Sequence, residues 1–468
     1  MMSWLQRQKH ALALVAILLA GAILRVYRLD FQSYWVDELW SVRTSAPDAP
    51  FLWMLRETIL DVHPPLYQLL LWIWLKLWGF SEFSARSLSV LLGVLVIPAI
   101  YSLARRLFDR DTALIAALIL SLNIFFIEYS QEARSYALLA LLTLLSFVAF
   151  VDYFKKNTKG CLVVYAFFIA ALLNTHYFGI VIVFAQFLFF ILSPVFNKSF
   201  RIRYSHLFVV SIVAIISIMP IIQSMINNIS RDNYWMPVPD LAFALYCYLV
   251  IFHNHALVII ASLLLMTSIL IPIVTKRTKD YASVTLLVLW IATGIVIPVV
   301  LSLVSTPCMT SRNTTIVVPA LFILMAFGVT LLPRRWLKAV TLTSIVILSL
   351  IPLFFSYNYY HVHRKIEFRQ AVQKVLSNNA GLAVYALGEK CLHFNVYFEL
   401  YTGKKLALCE DRLRDDLASG TLKSTGRPFV LLLVNGYPEN VQAIPGLSIL
   451  EQDNSLHGIT IYLAVRST

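Results

Sequence analysis

The chain has 468 residues, of which 59% are hydrophobic and only 13% charged, with a mean hydropathy of +0.75. A soluble domain carries about a quarter charged residues, so this composition excludes an ordinary soluble protein and points to a polytopic membrane protein. The net charge of +13 would suit a nucleic-acid binder, but the basic residues collect in short loops between apolar segments, so no nucleic-acid partner is expected.

In chain order, the first apolar run, 11–27, is read as an uncleaved first span. It is followed by "SYWVDELWSV", in which Asp37 and Glu38 lie between Tyr34, Trp35 and Trp40. Further runs at about 84–104, 112–128, 136–154, 162–175, 177–196, 207–226, 255–274, 283–304, 315–332 and 338–358 bring the expected spans to eleven. The run "PPLYQLLLWIWLKLWGF" at 64–80 is either a twelfth span or a helix lying in the interface. Basic loops favour the second. If 64–80 does not cross, "SWLQRQKH", "ARRLFDRD", "FKKNTKG", "NKSFRIRY", "TKRTKD" and "PRRWLK" all fall on one side, each with two or three Lys or Arg. Such loops stay in the cytoplasm, which places the N-terminus inside and leaves 64–80 as an aromatic-rich interfacial helix in the first outer loop.

Residues 361–468 lose the membrane composition. "FRQAVQKVLSNN" reads as an amphipathic helix, and "LAVYAL", "FVLLLVN" and "ITIYLAV" read as strands. The expected architecture is therefore an all-α polytopic membrane domain, 1–360, followed by a small extracytoplasmic α/β domain, 361–468. The five cysteines, at 161, 247, 308, 391 and 409, show no CxxC pair or metal-ligand spacing. Cys391 and Cys409 fall on the oxidising side, where either a disulfide or two buried thiols would be stable.

The unusual polar residues share one side of this topology. Asp37, Glu38, His63, Arg86, Glu132, Arg134, Tyr136, His176, Tyr177 and Arg312 all fall at outer ends of spans or in outer loops. Ionisable groups at membrane depth cost several kcal/mol unless paired or hydrated, so such a set suggests a common polar cavity; separate snorkelling side chains are the alternative. A carboxylate of the Asp37-Glu38 pair could act as a general base, whereas its structural role would be to favour a helix N-terminus. Pro64 and Pro65 hold His63 at a helix entrance, as a candidate ligand for a divalent metal or a donor to phosphate. The arginines suit phosphate recognition. If the helix before "EYSQEARSYALL" continued through it, Glu128, Glu132 and Tyr136 would share a face.

These stretches together resemble a known family. The acidic pair after the first span, "HPPLY", "SEFSARSLSVLLGVL", "QEARSYALL" and "THYFG" are similar to motifs of the bacterial branch of the protein O-mannosyltransferase superfamily, which includes the aminoarabinose transferases of lipid A. The resemblance covers about residues 10–335. It implies the GT-C glycosyltransferase fold, glycosyltransferase family 39-like, in the bacterial inner membrane, with the active site and C-terminal domain on the periplasmic side. It also implies a lipid-bilayer enzyme that moves a sugar from a polyprenyl-phosphate carrier to an envelope acceptor. Asp37 matches the catalytic position, with Glu38 orienting it or the acceptor. Arg86 matches a phosphate-contacting arginine, and Arg134 and Arg312 are expected to share that role. Tyr34, Trp35, Glu132, Tyr136, His176 and Tyr177 are expected substrate contacts. His63 falls where the aminoarabinose enzymes carry a metal-ligating glutamate. An aspartate found after the third span of those enzymes has no counterpart here, Glu132 being only a neighbour. A flippase for a lipid-linked sugar is the alternative function; transporters, however, often show inverted repeats, and none is evident in this sequence.

Overall fold

The computed structural model describes residues 4–61, 64–196, 204–219, 238–379, 381–388, 390–419, 428–435 and 447–466, with the isolated positions 222, 236, 422, 441 and 444. Two compact units emerge. One comprises Met1–Tyr27, Asp48–Ile73 and Arg86–Asn358; the other comprises Arg28–Pro47, Trp74–Ala85 and Tyr359–Thr468. The second unit thus gathers two short N-terminal segments, one of them carrying the acidic pair, around the C-terminal part of the chain.

Among the described residues, six helices are long and apolar enough to cross a membrane, and a seventh span is made if the bent pair Arg110–Leu122 and Ile124–Ser130 is counted as one. The chain is a multi-pass membrane protein. Among the described residues, each of the eleven expected runs contains helix, but the described helices in the runs at 162–175, 177–196, 207–226 and 315–332 are shorter than a full crossing, so a count of eleven is not confirmed. The run at 64–80 forms α4 (Leu66–Trp78), which follows α3 (Phe51–Leu60). A helix not expected from the sequence lies at Leu241–Phe252, capped by Asp240, whose side chain accepts from Phe243 N at 2.7 Å.

In the first unit, the helix Val318–Leu331 is buried over nearly its whole length. It is apolar on every side, as a helix surrounded by other helices must be. It packs on Arg110–Leu122, His255–Val274, Thr278–Val304 and Arg335–Phe354. Gly328 allows a close approach to His255–Val274: a Cβ there would lie 2.4 Å from the Leu264 carbonyl oxygen. Elsewhere, α5 (Glu82–Leu107) and α8 (Tyr136–Lys156) are clasped by a bidentate pair, with Arg106 Nε and Nη2 each 3.0 Å from an Asp152 carboxylate oxygen.

The span expected at 112–128 is broken. Helices α6 (Arg110–Leu122) and α7 (Ile124–Ser130) meet at 61° around Asn123. A break strands carbonyls that have no intrahelical donor, which is costly away from water. Arg25, fully buried at the end of α1 (Trp4–Val26), donates to Ser121 O at 3.0 Å and Leu120 O at 3.3 Å. Asn123 caps α7 by accepting from Phe126 N and donates to Ile251 O at 2.8 Å. Gln131 then ends the segment by donating to Arg25 O and Tyr27 O, each at 2.9 Å.

The second unit carries a five-stranded sheet in the order β2-β1-β3-β5-β4, with β1 (Val384–Ala386), β2 (Ala407–Cys409), β3 (Phe429–Val434), β4 (Leu447–Leu456) and β5 (Ile459–Arg466). β1 runs parallel to both β2 and β3, and β5 runs antiparallel to β3 and β4. The expected amphipathic helix forms at Phe368–Asn378 and buries Phe368, Ala371, Val372 and Val375. The strands β2 and β4 were not expected: β2 has three residues, and the β4 sequence "LSILEQDNSL" is half polar because β4 is an edge strand. Between β1 and β2 runs the helix Cys391–Thr402, and a Cys391–Cys409 disulfide ties its first residue to the last of β2 with Cα atoms 5.0 Å apart. Of the two alternatives for these cysteines, the bridge is the one formed.

Closing a loop of 18 residues removes about 3 kcal/mol of unfolded-state entropy. The double variant Cys391→Ser/Cys409→Ser is therefore expected to lower the stability of the second unit by that order, read as a drop in its unfolding midpoint that matches the drop on reduction of the wild type.

Candidate active site

The sequence-predicted residues fall into two groups, one in each unit. In the second unit, the chain is extended at Trp35 and turns into α2 (Val36–Thr44). Asp37 and Glu38 occupy its first turn, where carboxylates favour the positive end of the helix. Their environments differ. Glu38 is fully buried, and its Oε2 accepts from Lys365 Nζ at 3.0 Å and from Trp35 N at 3.4 Å. Asp37 is half-buried, and so is Trp35. Tyr34 is 1% exposed, its hydroxyl donates to Ser81 O at 3.0 Å, and its ring packs against Tyr397 at 5.9 Å. That burial accounts for Tyr34 as part of the packing of this unit.

The stretch leading into α2 is gripped by the C-terminal part of the same unit. Gln32 donates to Val362 O at 2.8 Å and accepts from Arg364 N at 2.9 Å. Ser33 donates to Gln370 Oε1 at 2.6 Å and accepts from Arg369 N at 3.2 Å. Tyr34 N donates to Tyr397 Oη at 2.7 Å. Glu82 accepts from the Tyr397 hydroxyl and pairs with Arg369, which also donates to Asp30 O at 2.6 Å and Phe31 O at 2.7 Å. A cavity of about 470 Å³ opens beside this cluster, lined by Asp30, Glu82, Phe83, Arg369, Leu400 and Tyr401 among others. Glu82, Lys365, Arg369, His393 and Tyr397 were all missed by sequence reasoning. Glu82 stood inside a quoted motif, but the other four sit hundreds of residues away in a domain with no motif.

His393 belongs to the helix Cys391–Thr402, which packs on α2. Its ring stacks on Phe368 at 5.9 Å, and among the described residues its Nδ1 has no hydrogen-bond partner. Burial pushes its pKa down to about 4; Lys390 and Arg43 act in the same direction and Asp37 against it. The imidazole beside α2 is therefore neutral.

In the first unit, three of the sequence motifs come together. Leu66 N, at the start of α4, donates to Asn174 O at 2.9 Å, joining "HPPLY" to "NTHYFG". The Tyr67 hydroxyl and Ser89 Oγ are 2.8 Å apart, and Ser89 Oγ donates to Arg134 O at 3.4 Å. Glu132, Arg134, Tyr136 and His176 are all buried, at 4–6% exposure, and Arg86 at 1%. The Tyr136 ring lies 5.1 Å from Tyr129 and 6.4 Å from His176, whose Nδ1 accepts from Phe178 N at 3.2 Å. Tyr177 and Arg312 are half-buried. Arg312, in the 3₁₀ turn Ser311–Ile316 that packs on α8, is within electrostatic reach of the Tyr129 hydroxyl, as are Glu132 and Tyr136. The conditional shared face of Glu128, Glu132 and Tyr136 does not arise: α7 ends at Ser130 and α8 begins at Tyr136, so the residues between them form a turn. His63 lies outside the described residues. Among the described residues, no three His, Cys, Asp or Glu side chains converge in a metal-binding group.

Residues 62–223 match the dolichyl-phosphate-mannose-protein mannosyltransferase family. The whole chain superposes on ArnT from Cupriavidus metallidurans in the apo state, with a TM-score of 0.63 at 12% identity over 98% of each chain. The same enzyme bound to undecaprenyl phosphate gives 0.62 at 13% identity over 97% of each chain. The fold is that of a GT-C glycosyltransferase. The oligosaccharyltransferase of Archaeoglobus fulgidus shares it, with a TM-score of 0.58 at 10% identity over 85% of this chain. This chain spans only 64% of that enzyme. No curated protein matches by sequence. The GT-C comparison agrees with the fold implied by the sequence motifs.

The neutral His393 carries a pH consequence. The unfolded chain binds a proton at this histidine below about 6.5, whereas the folded chain resists it down to about 4. Stability is thus expected to fall as pH falls through that window. His393→Gln should flatten the fall in unfolding midpoint between those two pH values.

Proposed function

We propose that this protein is a membrane glycosyltransferase that takes a sugar from a polyprenyl-phosphate carrier and passes it to a hydroxyl or amine of an envelope acceptor. In this reading it works on the outer face of a bacterial inner membrane. The observation that carries it is the contrast in burial within the acidic pair: Glu38 is fully buried, while its neighbour Asp37 is half-buried at the first turn of α2. The fold shared with ArnT, and the match to a family named for a lipid-phosphate-linked mannose, supply the substrate class.

Asp37 acts as the general base. It takes the proton of the acceptor as the acceptor oxygen or nitrogen attacks the anomeric carbon, the bond from that carbon to the carrier phosphate breaks, and the configuration inverts. The leaving phosphate gains charge in that step. Arg86, Arg134 and Arg312 are the groups suited to neutralise it, since guanidinium forks match phosphate oxygens and act strongly in a low-dielectric setting. Trp35 and Tyr177, both partly exposed, are the aromatic candidates for sugar contact. Glu132, Tyr136 and His176 line the turn that carries Arg134. His63 remains the candidate for a divalent ion, and no step is assigned to one.

Reconstituted protein supplied with undecaprenyl phosphate carrying aminoarabinose or mannose, and an envelope lipid extract as acceptor, should release undecaprenyl phosphate. Asp37→Asn should slow that release by about 10²–10⁴-fold, the usual worth of a general base, while lowering stability only by the roughly 0.3–1 kcal/mol of one charge at a helix N-terminus. Undiminished transfer by this variant would remove Asp37 from the role. Movement of labelled lipid between leaflets without cleavage of the sugar-phosphate bond would favour a flippase instead. A second expectation concerns the arginines. Arg134→Lys keeps the charge but loses the fork, and should weaken carrier use by roughly 1–3 kcal/mol, the worth of a hydrogen bond to a charged group.

A further inference from the structure

An acidic pair offers two carboxylates of similar chemistry one residue apart, and nothing in the dipeptide says which of them meets substrate. The second unit distinguishes them by burial. The Glu38 side chain is 0% exposed and that of Lys365 is 10% exposed, with Lys365 Nζ 3.0 Å from Glu38 Oε2. A carboxylate so far from water is tolerated as an anion only with a counter-charge and further donors. Lys365 supplies the charge, and Trp35 N supplies a second donor at 3.4 Å.

The lysine is itself held in place. Gln32 Oε1 accepts from both Arg364 N, at 2.9 Å, and Lys365 N, at 3.3 Å. The backbone at Lys365 is therefore bonded to the same stretch, Gln32 to Glu38, whose carboxylate its side chain neutralises. Arg369 N on Ser33 Oγ, at 3.2 Å, extends the clasp by one turn of the following helix. Asp37 has a different setting: its carbonyl accepts from Ser41 Oγ at 3.0 Å, and its half-buried side chain projects from the first turn of α2.

We propose that Lys365 is a positioning residue, which holds Glu38 as the buried anion of an ion pair and thereby fixes the first turn of α2 so that Asp37 alone faces substrate. The C-terminal segment is in this respect part of the catalytic apparatus, although it carries no catalytic residue. The proposal deepens the reading of Asp37 as general base and rests on it.

The experiment uses the full chain and undecaprenyl phosphate carrying the sugar that supports transfer. Lys365→Met should lower kcat by about 10²-fold, the scale of a 1 Å misplacement, and leave the KM for the donor unchanged. Lys365→Arg should recover most of that loss. The double variant Glu38→Gln/Lys365→Met replaces the ion pair by neutral groups of similar shape, and should transfer faster than Lys365→Met alone, because no unpaired charge remains. A lysine that binds the donor phosphate would instead raise KM, and the double variant would be no better than the single one; either result overturns the proposal. The double and Lys365→Arg variants carry the test if Lys365→Met fails to fold. Unfolding midpoints of the two single variants and the double close a cycle that reads the Glu38–Lys365 coupling without any turnover, and additive midpoints would also overturn it. Undiminished transfer by Asp37→Asn would defeat the general-base reading alone, so the two failures are separable.

Discussion

The guanidinium of Arg25 solves the problem on which the membrane part depends. A helix that breaks at Asn123 exposes carbonyls at Leu120 and Ser121 where no water can reach them. A cation at that helix C-terminus satisfies both and opposes the negative end of the dipole. Because Arg25 stands at the last turn of α1, the same contact fastens the first helix to the break. Ser130 Oγ receives the Arg25 Nε at 3.2 Å, so both halves of the bent helix converge on one side chain. The break in turn lets α7 stop at Ser130, which frees Gln131 to Ser135 to form the turn that carries Glu132 and Arg134.

The second unit poses a related problem. Its acidic motif is short and sits on a nine-residue helix, too short to be stable by itself. What holds it is a series of hydrogen bonds and two ion pairs from Val362, Arg364, Lys365, Arg369, Gln370 and Tyr397. The sheet, the helix Phe368–Asn378 and the disulfide at Cys391–Cys409 give these groups a rigid base. The general base proposed at Asp37 needs a fixed direction as much as a suitable pKa, and a loop alone supplies neither.

Hydropathy and charge were enough to find the apolar helices other than Leu241–Phe252, and the α/β character of the C-terminal part, because both signals are local. An apolar run must form helix where water is absent, and strand alternation repeats every two residues. The motifs "HPPLY", "QEARSYALL" and "THYFG" likewise revealed a set of residues that the fold brings together in one unit, through Leu66, Ser89, Arg134, Tyr136 and His176. The break at Asn123 was less legible, since an asparagine within an apolar run is compatible with a continuous helix until a capping geometry forms.

The amino-acid sequence by itself determined that this chain lives in a membrane, where its helices run, and that an acidic pair follows the first of them. Only the tertiary structure decided that Glu38 is the buried member and Asp37 the accessible one. The reason is distance along the chain. Lys365 is 327 positions from Glu38, and Arg369 is 287 from Glu82. No periodicity or spacing links residues so far apart; what pairs them is the cost of burying a lone charge, and that cost exists only once the chain has folded around it.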